Sequence, residues 1–238
     1  MMMPLMLAMY DQRHDDHPKK VIIIMSDSRS LNDTGYHTLS YKINARYAEL
    51  HNYSIHFVHT PCMKPSKSTK KCIGCVHASL GERMVSWCKL LVVNRTLHEY
   101  PDHNYFLYLD SDAIVSTRDP LPLHYWNKTL NMFYNFPWPR LSPACAGIQL
   151  WKRTPMTLPI LNNWWNTDVH RYNTQHDFEQ AVLRTVFWRR FRKHINVIQE
   201  KTLVDAPAQR VRHIAETTRA GGAHISVFRK ELGLKSRI

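Results

Sequence analysis

The chain has 238 residues, a length that fits one domain with a real hydrophobic core. Hydrophobic residues make up 44% of it and aromatic residues 11%, which excludes a disordered chain. The formal net charge of +13 fits a solvated surface, the usual meaning of a charge run, or a partner such as nucleic acid, an anionic membrane surface or a phosphate-bearing substrate. The basic clusters have neither zinc-finger spacing nor the aromatic signature of an RNA-binding sheet, so no nucleic-acid partner is expected.

The first 20 residues precede the first predicted strand and are expected to form a flexible lead. Residues 1–10 are apolar, but this stretch is too short to cross a bilayer and lacks the basic region and cleavage site of a signal peptide. The chain as given is therefore expected to be soluble, with any membrane anchor not encoded in it. A catalytic domain whose anchor is missing is the alternative.

The cysteines leave two chemistries open. They are Cys62, Cys72, Cys75, Cys88 and Cys145. The C-x-x-C spacing of Cys72 and Cys75, completed by Cys62 and by Cys88 or a nearby histidine, would suit a structural zinc ion. One or two disulfides with a thiol left over fit the odd count equally well.

Alternating strands and helices are predicted for the first half of the chain. Short apolar strands are expected at residues 21–25, 55–58 and 105–115, and helices at 41–51 and 82–99. A loop of about 20 residues, rich in Cys, Lys and Pro, follows the second strand. The order strand, helix, strand, helix, strand predicts a mainly parallel α/β sheet flanked by helices.

The second half is less regular. Strands are predicted at residues 132–135, 146–151 and 195–198, and helices at 154–165 and 175–188. The first of these helices is expected to begin with Thr154 as its N-cap and Pro155 in its first turn.

Two carboxylates interrupt the apolar strand at residues 105–115. Asp110 and Asp112 are separated only by Ser111 and are flanked by apolar residues on both sides. Acids in such a context are costly to bury unless a cation pairs with them. Magnesium and manganese bind through one or two carboxylates together with substrate phosphate oxygens. The segment therefore predicts a divalent metal site.

A second polar group is expected beside this site. Ser26 and Asp27 come directly after the first strand, as Asp110 comes at the end of the third. Ligands of parallel α/β sheets bind at the carboxyl ends of the strands. The sequence thus predicts one crevice that contains acidic groups from two separate segments.

The order of these features resembles a known family. The matching pieces are residues 21–27, 47–53, 87–90, 100–114, 146–153 and 179–183, followed by a late His224. In this order they resemble the GT-A nucleotide-sugar glycosyltransferases, and within them the fungal and plant group of galactosyl-, mannosyl- and xyloglucan xylosyltransferases. The resemblance implies a single Rossmann-like GT-A domain over residues 21–238. Its donor-binding half would span about residues 21–115 and its acceptor and catalytic half about 116–238.

The resemblance also implies a reaction, its substrates and a cofactor. A sugar would move from a nucleotide-diphosphate donor, UDP- or GDP-linked, to a hydroxyl of a glycan acceptor, with Mn²⁺ or Mg²⁺ as cofactor and retention of the anomeric configuration. Localisation stays undecided: the resemblance suggests the Golgi, whereas the absence of a transmembrane segment favours a soluble form.

Two other functions compete with the glycosyltransferase hypothesis. They are an inactive sugar-nucleotide-binding interaction protein and, less favoured, a basic nucleic-acid-binding protein.

The resemblance assigns roles residue by residue. The metal ligands would be Asp110, Asp112 and His224. The donor-binding residues would be Ser26, Asp27, Lys89, Asp110 and Ser111. Apart from the resemblance, Arg229 and Lys230 just past His224 are candidates to add positive charge for the diphosphate. Ala146 and Gly147 would line the acceptor side. Glu179 and Gln180 would lie near the anomeric carbon and stabilise an oxocarbenium-like transition state, with Asp177 as a competitor for that role.

Overall fold

Strands and helices alternate along the chain in a computed structural model, which describes residues 20–65, 72–115, 118–123, 126–134, 144–168, 178–183, 188–198 and 211–213. The strands are β1 (Val21–Asp27), β2 (Ser54–His59), β3 (Lys64–Pro65), β4 (Cys72–His77), β5 (Gly81–Met84), β6 (Tyr105–Asp110), β7 (Ala113–Val115), β8 (Leu130–Tyr134), β9 (Ala144–Lys152), β10 (Ile195–Ile198) and β11 (Val211–His213). The helices are α1 (Tyr36–Leu50), α2 (Val85–Glu99), α3 (Thr157–Asn166), α4 (Phe178–Val182) and α5 (Trp188–Phe191).

Six strands form the central sheet in the order β10-β8-β9-β6-β1-β2. β1 is parallel to both β2 and β6, and β10 is parallel to β8. β9 runs antiparallel to its neighbours β6 and β8. The prediction of an α/β fold with a mostly parallel sheet is therefore confirmed, with β9 as the antiparallel member.

The sheet is buried on both faces, which explains the unbroken apolar runs of β1 and β6. Ile22 and Ile24 pack with α2 and α3 on one face, whereas Val21 and Ile23 pack with α1 on the other. All four side chains are at most 2% exposed. Successive side chains of a strand point to opposite faces, so each strand contributes to two cores at once.

The long loop predicted after β2 contains a sheet of its own. β3, β4 and β5 form a three-stranded antiparallel sheet, so the prediction of a plain loop was wrong for this part. Disulfides join Cys62 to Cys72 and Cys75 to Cys88, with Cα–Cα distances of 5.4 and 5.8 Å. These four cysteines are therefore disulfide-bonded and hold no zinc, and Cys145 belongs to neither disulfide.

Three helix starts differ from the sequence prediction. α1 begins at Tyr36 rather than at residue 41. α2 begins at Val85 rather than at residue 82, because Gly81–Met84 pairs with β4 as strand β5. α3 begins at Thr157 with Met156 at its N-cap, so the assignment of Thr154 and Pro155 to the helix start was wrong. The Thr157 hydroxyl instead donates to the Lys152 carbonyl and accepts from the Thr154 amide, which closes a turn before the helix.

A bulge interrupts β9 near the carboxyl end of β6. Met132 of β8 pairs with Gln149, but the next residue, Phe133, pairs with Cys145. Residues 146–148 therefore leave the ladder with β8. Bulges bend a strand and re-aim its backbone groups, and they are frequent beside active sites. This one presents the Ala146 amide and carbonyl to other elements.

Within the described residues, no helix has both the length and the apolar character needed to span a bilayer.

Candidate active site

The carboxyl ends of β1 and β6 lie side by side. Their register pairs Ser26 with Asp110, so Asp27 and Ser111 extend from adjacent positions at the same edge. Asp112 lies in the turn between β6 and β7. The parallel pairing thus brings together two polar segments that are more than 80 residues apart in the sequence, as the carboxyl-end rule for α/β sheets predicts.

A hydrogen-bonded chain crosses this edge. The Tyr108 hydroxyl donates to Oδ1 of Asp110 at 3.1 Å and lies 2.9 Å from Oγ of Ser26. Burial, followed by the charge of Asp110, raises the pKa of Tyr108 well above its ordinary value. Tyr108 therefore keeps its proton and fixes the orientation of the Asp110 carboxylate.

Asp27 is bound by the loop that follows it. Its Oδ1 accepts from the amide and Nε of Arg29, each at 2.8 Å, and its Oδ2 accepts from Nη2 at 2.6 Å. Burial alone would raise the pKa of Asp27, but hydrogen bonds from Arg29 and Ser111 outweigh it and the pKa is lowered. The Arg29 guanidinium also lies 4.4 Å from the centre of the Tyr36 ring.

These groups line a cleft of about 300 Å³. A cavity of this size is at the lower end of the range for small-molecule sites. Its walls come from β1 and the loop after it, the end of β2, the first turns of α2, and the end of β6. The lining residues are Ser26, Asp27, Ser28, Arg29, Tyr36, Thr60, Val85, Ser86, Lys89, Tyr108, Asp110, Ser111 and Asp112.

Lys89 closes the base of the cleft with an almost fully buried ammonium, 4% exposed. Its Nζ lies 2.9 Å from Oδ1 and 3.1 Å from Oδ2 of Asp110, and 2.9 Å from Oε1 of Glu179. Burial alone would lower the pKa of Lys89, but the two carboxylates more than compensate and hold it well above its ordinary value. Lys89 is therefore positively charged at neutral pH.

The residues predicted for the acceptor side and the reaction centre lie around Lys89 and next to one another. Ala146 contacts Lys89 through its carbonyl, at 3.4 Å, and its amide donates to Oε1 of Gln180 at 3.0 Å. Glu179 is 4% exposed, and Gly147 is buried in the bulge of β9. The structure thus brings Ala146, Glu179 and Gln180 together around Lys89.

Four of the predicted site residues lie outside the described part of the chain. They are Asp177, His224, Arg229 and Lys230. The assignments of Asp177 and His224 stay predictions from the resemblance, and those of Arg229 and Lys230 stay predictions from their charge.

Seven cleft residues were not among the predicted site residues. They are Ser28, Arg29, Tyr36, Thr60, Val85, Ser86 and Tyr108. Four of these lie within two residues of a strand's carboxyl end, and Tyr36, Val85 and Ser86 lie in the first turn of a helix that follows a strand. Position relative to a strand end was thus a usable signal for all seven, but residue type alone was not.

The cleft residues suit a divalent cation that is completed by substrate. Asp110 and Asp112 offer the carboxylate oxygens that magnesium and manganese prefer, and both line the cleft. Within the described ranges, no group of three or more His, Cys, Asp or Glu residues forms a complete metal cage. Ions of this type are usually held by one or two carboxylates plus substrate phosphates, so the donor set fits.

The fold of this chain is similar to that of solved glycosyltransferases. A glycosyltransferase involved in the glycosylation of the major capsid of PBCV-1 matches with a TM-score of 0.64. It is 16% identical, and the match covers 87% of this chain and 99% of that one. The apo form of GlyE from Streptococcus pneumoniae matches with a TM-score of 0.52 and 11% identity, over 92% of this chain and 61% of that one. At these identities the likeness shows the fold.

The sequence comparisons cover a smaller part of the chain than the structural ones, and they point to one particular family. Residues 16–120 match the model of the galactosyl transferase GMA12/MNN10 family. An uncharacterized alpha-1,2-galactosyltransferase of Schizosaccharomyces pombe is 26% identical over 110 residues, 43% of this chain. The match covers 26% of that relative's own length. Together with the fold, these similarities confirm the predicted resemblance to the GT-A glycosyltransferases.

Proposed function

We propose that the chain transfers a sugar from a nucleotide-diphosphate donor to a hydroxyl group of a glycan, with a divalent metal ion bound at Asp110 and Asp112. One observation carries the proposal. The polar cleft lies at the adjacent carboxyl ends of β1 and β6, and its lining includes the carboxylates of Asp110 and Asp112 and the guanidinium of Arg29. This arrangement suits a diphosphate with a metal ion, and the match to a galactosyltransferase family over the same residues supports it.

The transfer exchanges one bond at the anomeric carbon for another. The bond from this carbon to the diphosphate oxygen breaks, and the acceptor hydroxyl oxygen bonds to the same carbon. The acceptor loses its proton, and the nucleoside diphosphate departs with the bonding electrons. The bound metal ion would neutralise the charge that develops on the diphosphate.

The chain's own residues would hold the donor in place. Asp110 is oriented by Tyr108 and Lys89, so its carboxylate is fixed before a ligand arrives. Arg29 is held by Asp27 and lies against Tyr36, so its guanidinium is likewise ordered. Groups that are positioned in advance need no reorganisation during the reaction, which is the main source of electrostatic catalysis. Ser26, Asp27 and Ser111 complete the proposed donor site.

The far face of the sugar is proposed to meet Glu179 or Gln180, with Asp177 as the alternative. A carboxylate or amide there would stabilise an oxocarbenium-like transition state. The roles of His224 as a third metal ligand, and of Arg229 and Lys230 toward the diphosphate, belong to the same proposal, as does retention of configuration. The name of the Schizosaccharomyces pombe relative makes a nucleotide-linked galactose the first donor to test.

An oxidising compartment such as the Golgi lumen is proposed as the site of action. The two disulfides support this, because disulfides persist in secretory compartments and are rare in the reducing cytosol. Recovery of the protein from cells with both disulfides reduced would contradict it.

Titration of UDP- and GDP-linked sugars, with and without Mn²⁺, tests the proposed activity. Metal-dependent binding together with donor hydrolysis or transfer is the expected result. Binding without turnover would favour an inactive sugar-nucleotide-binding protein. No nucleotide-sugar binding, together with binding of a polyanion that weakens steeply with salt, would favour the nucleic-acid hypothesis.

A further inference from the structure

Protein groups already surround the Lys89 ammonium, which carries three N–H donors and no acceptor. Nζ donates hydrogen bonds to Oδ2 of Asp110 at 3.1 Å and to the Ala146 carbonyl at 3.4 Å. It also forms an ion pair with Oε1 of Glu179 at 2.9 Å. Only 4% of the residue is exposed, so these three groups make up most of its surroundings.

The three partners of Lys89 come from three different elements. Asp110 ends β6, Ala146 lies in the bulge of β9, and Glu179 lies in α4. Glu179 lies in a short helix of five residues, which has little stability of its own. Other contacts of this helix are the Glu179 carbonyl, which accepts from Nε1 of Trp164, and the Gln180 side chain, which accepts from the Ala146 amide.

Lys89 itself is firmly held. The preceding residue, Cys88, is joined to Cys75 of β4, and Trp87 is fully buried in the core. The helix around it is 15 residues long and packs against the central sheet. The position of the Lys89 ammonium is therefore constrained by the core around α2, and its ion pair with Glu179 constrains the position of that carboxylate.

We infer that Lys89 is a positioning residue that fixes the Glu179 carboxylate relative to Asp110, and so sets the distance between the metal-binding edge of the cleft and the proposed reaction centre. This inference rests on the proposed function. It differs from a direct donor contact, because Lys89 then acts on the reaction only through its two carboxylate partners. Loss of Lys89 should impair turnover while donor binding survives.

A double-mutant cycle separates the two roles. Lys89→Met keeps most of the length of the unbranched side chain and removes its charge. We expect it to lower kcat about 100-fold. The Kd for UDP with Mn²⁺ should change by less than about threefold, because the Tyr108 hydroxyl still orients Asp110. In the Glu179→Gln background the same substitution should change kcat by less than about threefold, because the Glu179 carboxylate is already gone and Tyr108 still holds Asp110.

Two further variants keep the test decisive. Lys64→Met is the matched control, since Lys64 forms an exposed ion pair with Glu82 at the small sheet, and it should leave both parameters within about twofold. If Lys89→Met fails to fold, Lys89→Arg retains the charge with a different hydrogen-bonding geometry. It should lower kcat at least about tenfold at unchanged donor affinity.

The opposite pattern would overturn the inference. A Kd raised tenfold or more at unchanged kcat would make Lys89 a direct donor contact. An equal loss of kcat in both Glu179 backgrounds would show that Lys89 does not act through Glu179. Failure of the proposed function is distinguishable, because the unmodified chain would then turn over no nucleotide sugar. In that case the unfolding free energies of the unmodified chain, Lys89→Met, Glu179→Gln and the double variant test the ion pair. Independent effects of the two substitutions would show that Lys89 does not hold Glu179.

Discussion

Arg29 binds Asp27 through two nitrogens, with Nε 2.8 Å from Oδ1 and Nη2 2.6 Å from Oδ2. Paired contacts of this kind fix the orientation of both groups, because the guanidinium fork matches the two carboxylate oxygens. The ion pair fixes the turn that follows β1, and both of its residues line the cleft. The rim of the proposed donor site thus depends on a local pair of residues only two positions apart.

Asp27→Asn should destabilise the protein by about 1–3 kcal/mol at neutral pH, because Arg29 loses its charged partner in a partly buried site. The pKa of Asp27 is lowered from its ordinary value of 3.8, so its contribution is complete above that pH. As the pH falls below 3.8 and through the lower folded-state pKa, the contribution is lost. Urea unfolding at pH 7 and pH 3 should show the difference between the two proteins shrinking with acidity. A difference that is constant with pH would contradict the prediction.

Asp112→Asn should abolish Mn²⁺-dependent donor binding and leave the fold intact. The substitution keeps the shape of the side chain but removes a charge that the metal ion requires. Calorimetry with UDP and Mn²⁺ measures the effect, and circular dichroism checks the fold. Asp102→Asn is a suitable control, because Asp102 is exposed and does not line the cleft. Unchanged turnover in the Asp112 variant would contradict the proposal that this residue is a metal ligand.

Removing the Cys75–Cys88 disulfide by paired alanine substitutions should lower the free energy of unfolding by about 3 kcal/mol, through loss of loop closure in the unfolded chain. The Cys62–Cys72 disulfide closes a loop of similar length, with a separation of 10 rather than 13 residues, and is a matched control. Cys75 and Cys88 are buried, whereas Cys62 is exposed, so the first variant should lose about 1 kcal/mol more. Equal losses would show that burial of the first disulfide adds nothing.

Gly74→Ala should disturb the start of α2. A Cβ at this position would lie 2.9 Å from Cγ2 and 3.0 Å from Cα of Val85, and 3.0 Å from Sγ of Cys88. The clash with backbone should cost about 1–3 kcal/mol and shift Ser86 and Lys89 at the cleft, which weakens donor binding. Gly81→Ala is the control, with φ of +76° but no atom within 4 Å of the new Cβ. It should cost about 1 kcal/mol of backbone strain and leave donor binding unchanged. Thermal unfolding and UDP titration measure both.

The sequence alone determined the elements whose pattern is local. The apolar runs of β1 and β6 predict buried strands, because a strand covered on both faces needs no polar alternation. The spacing of Val85, Leu90, Val93 and Leu97 predicts most of α2, and its order between two strands predicts the parallel sheet. The carboxyl-end rule then predicts Ser26 and Asp27 beside Asp110 from the strand order alone.

The structure alone decided relations between distant segments. The disulfide pairing, the antiparallel direction of β9 and the strand character of Gly81–Met84 depend on neighbours that are not adjacent in sequence. The same holds for Lys89: its position in the helical pattern marks it as a residue of α2, but only the packing of α2 against β6, β9 and α4 gives its ammonium two carboxylates and a carbonyl. The spacing of apolar side chains can be read directly from the sequence. The partner of a buried charge depends on which helices and strands pack together in the hydrophobic core, and that is a property of the tertiary structure.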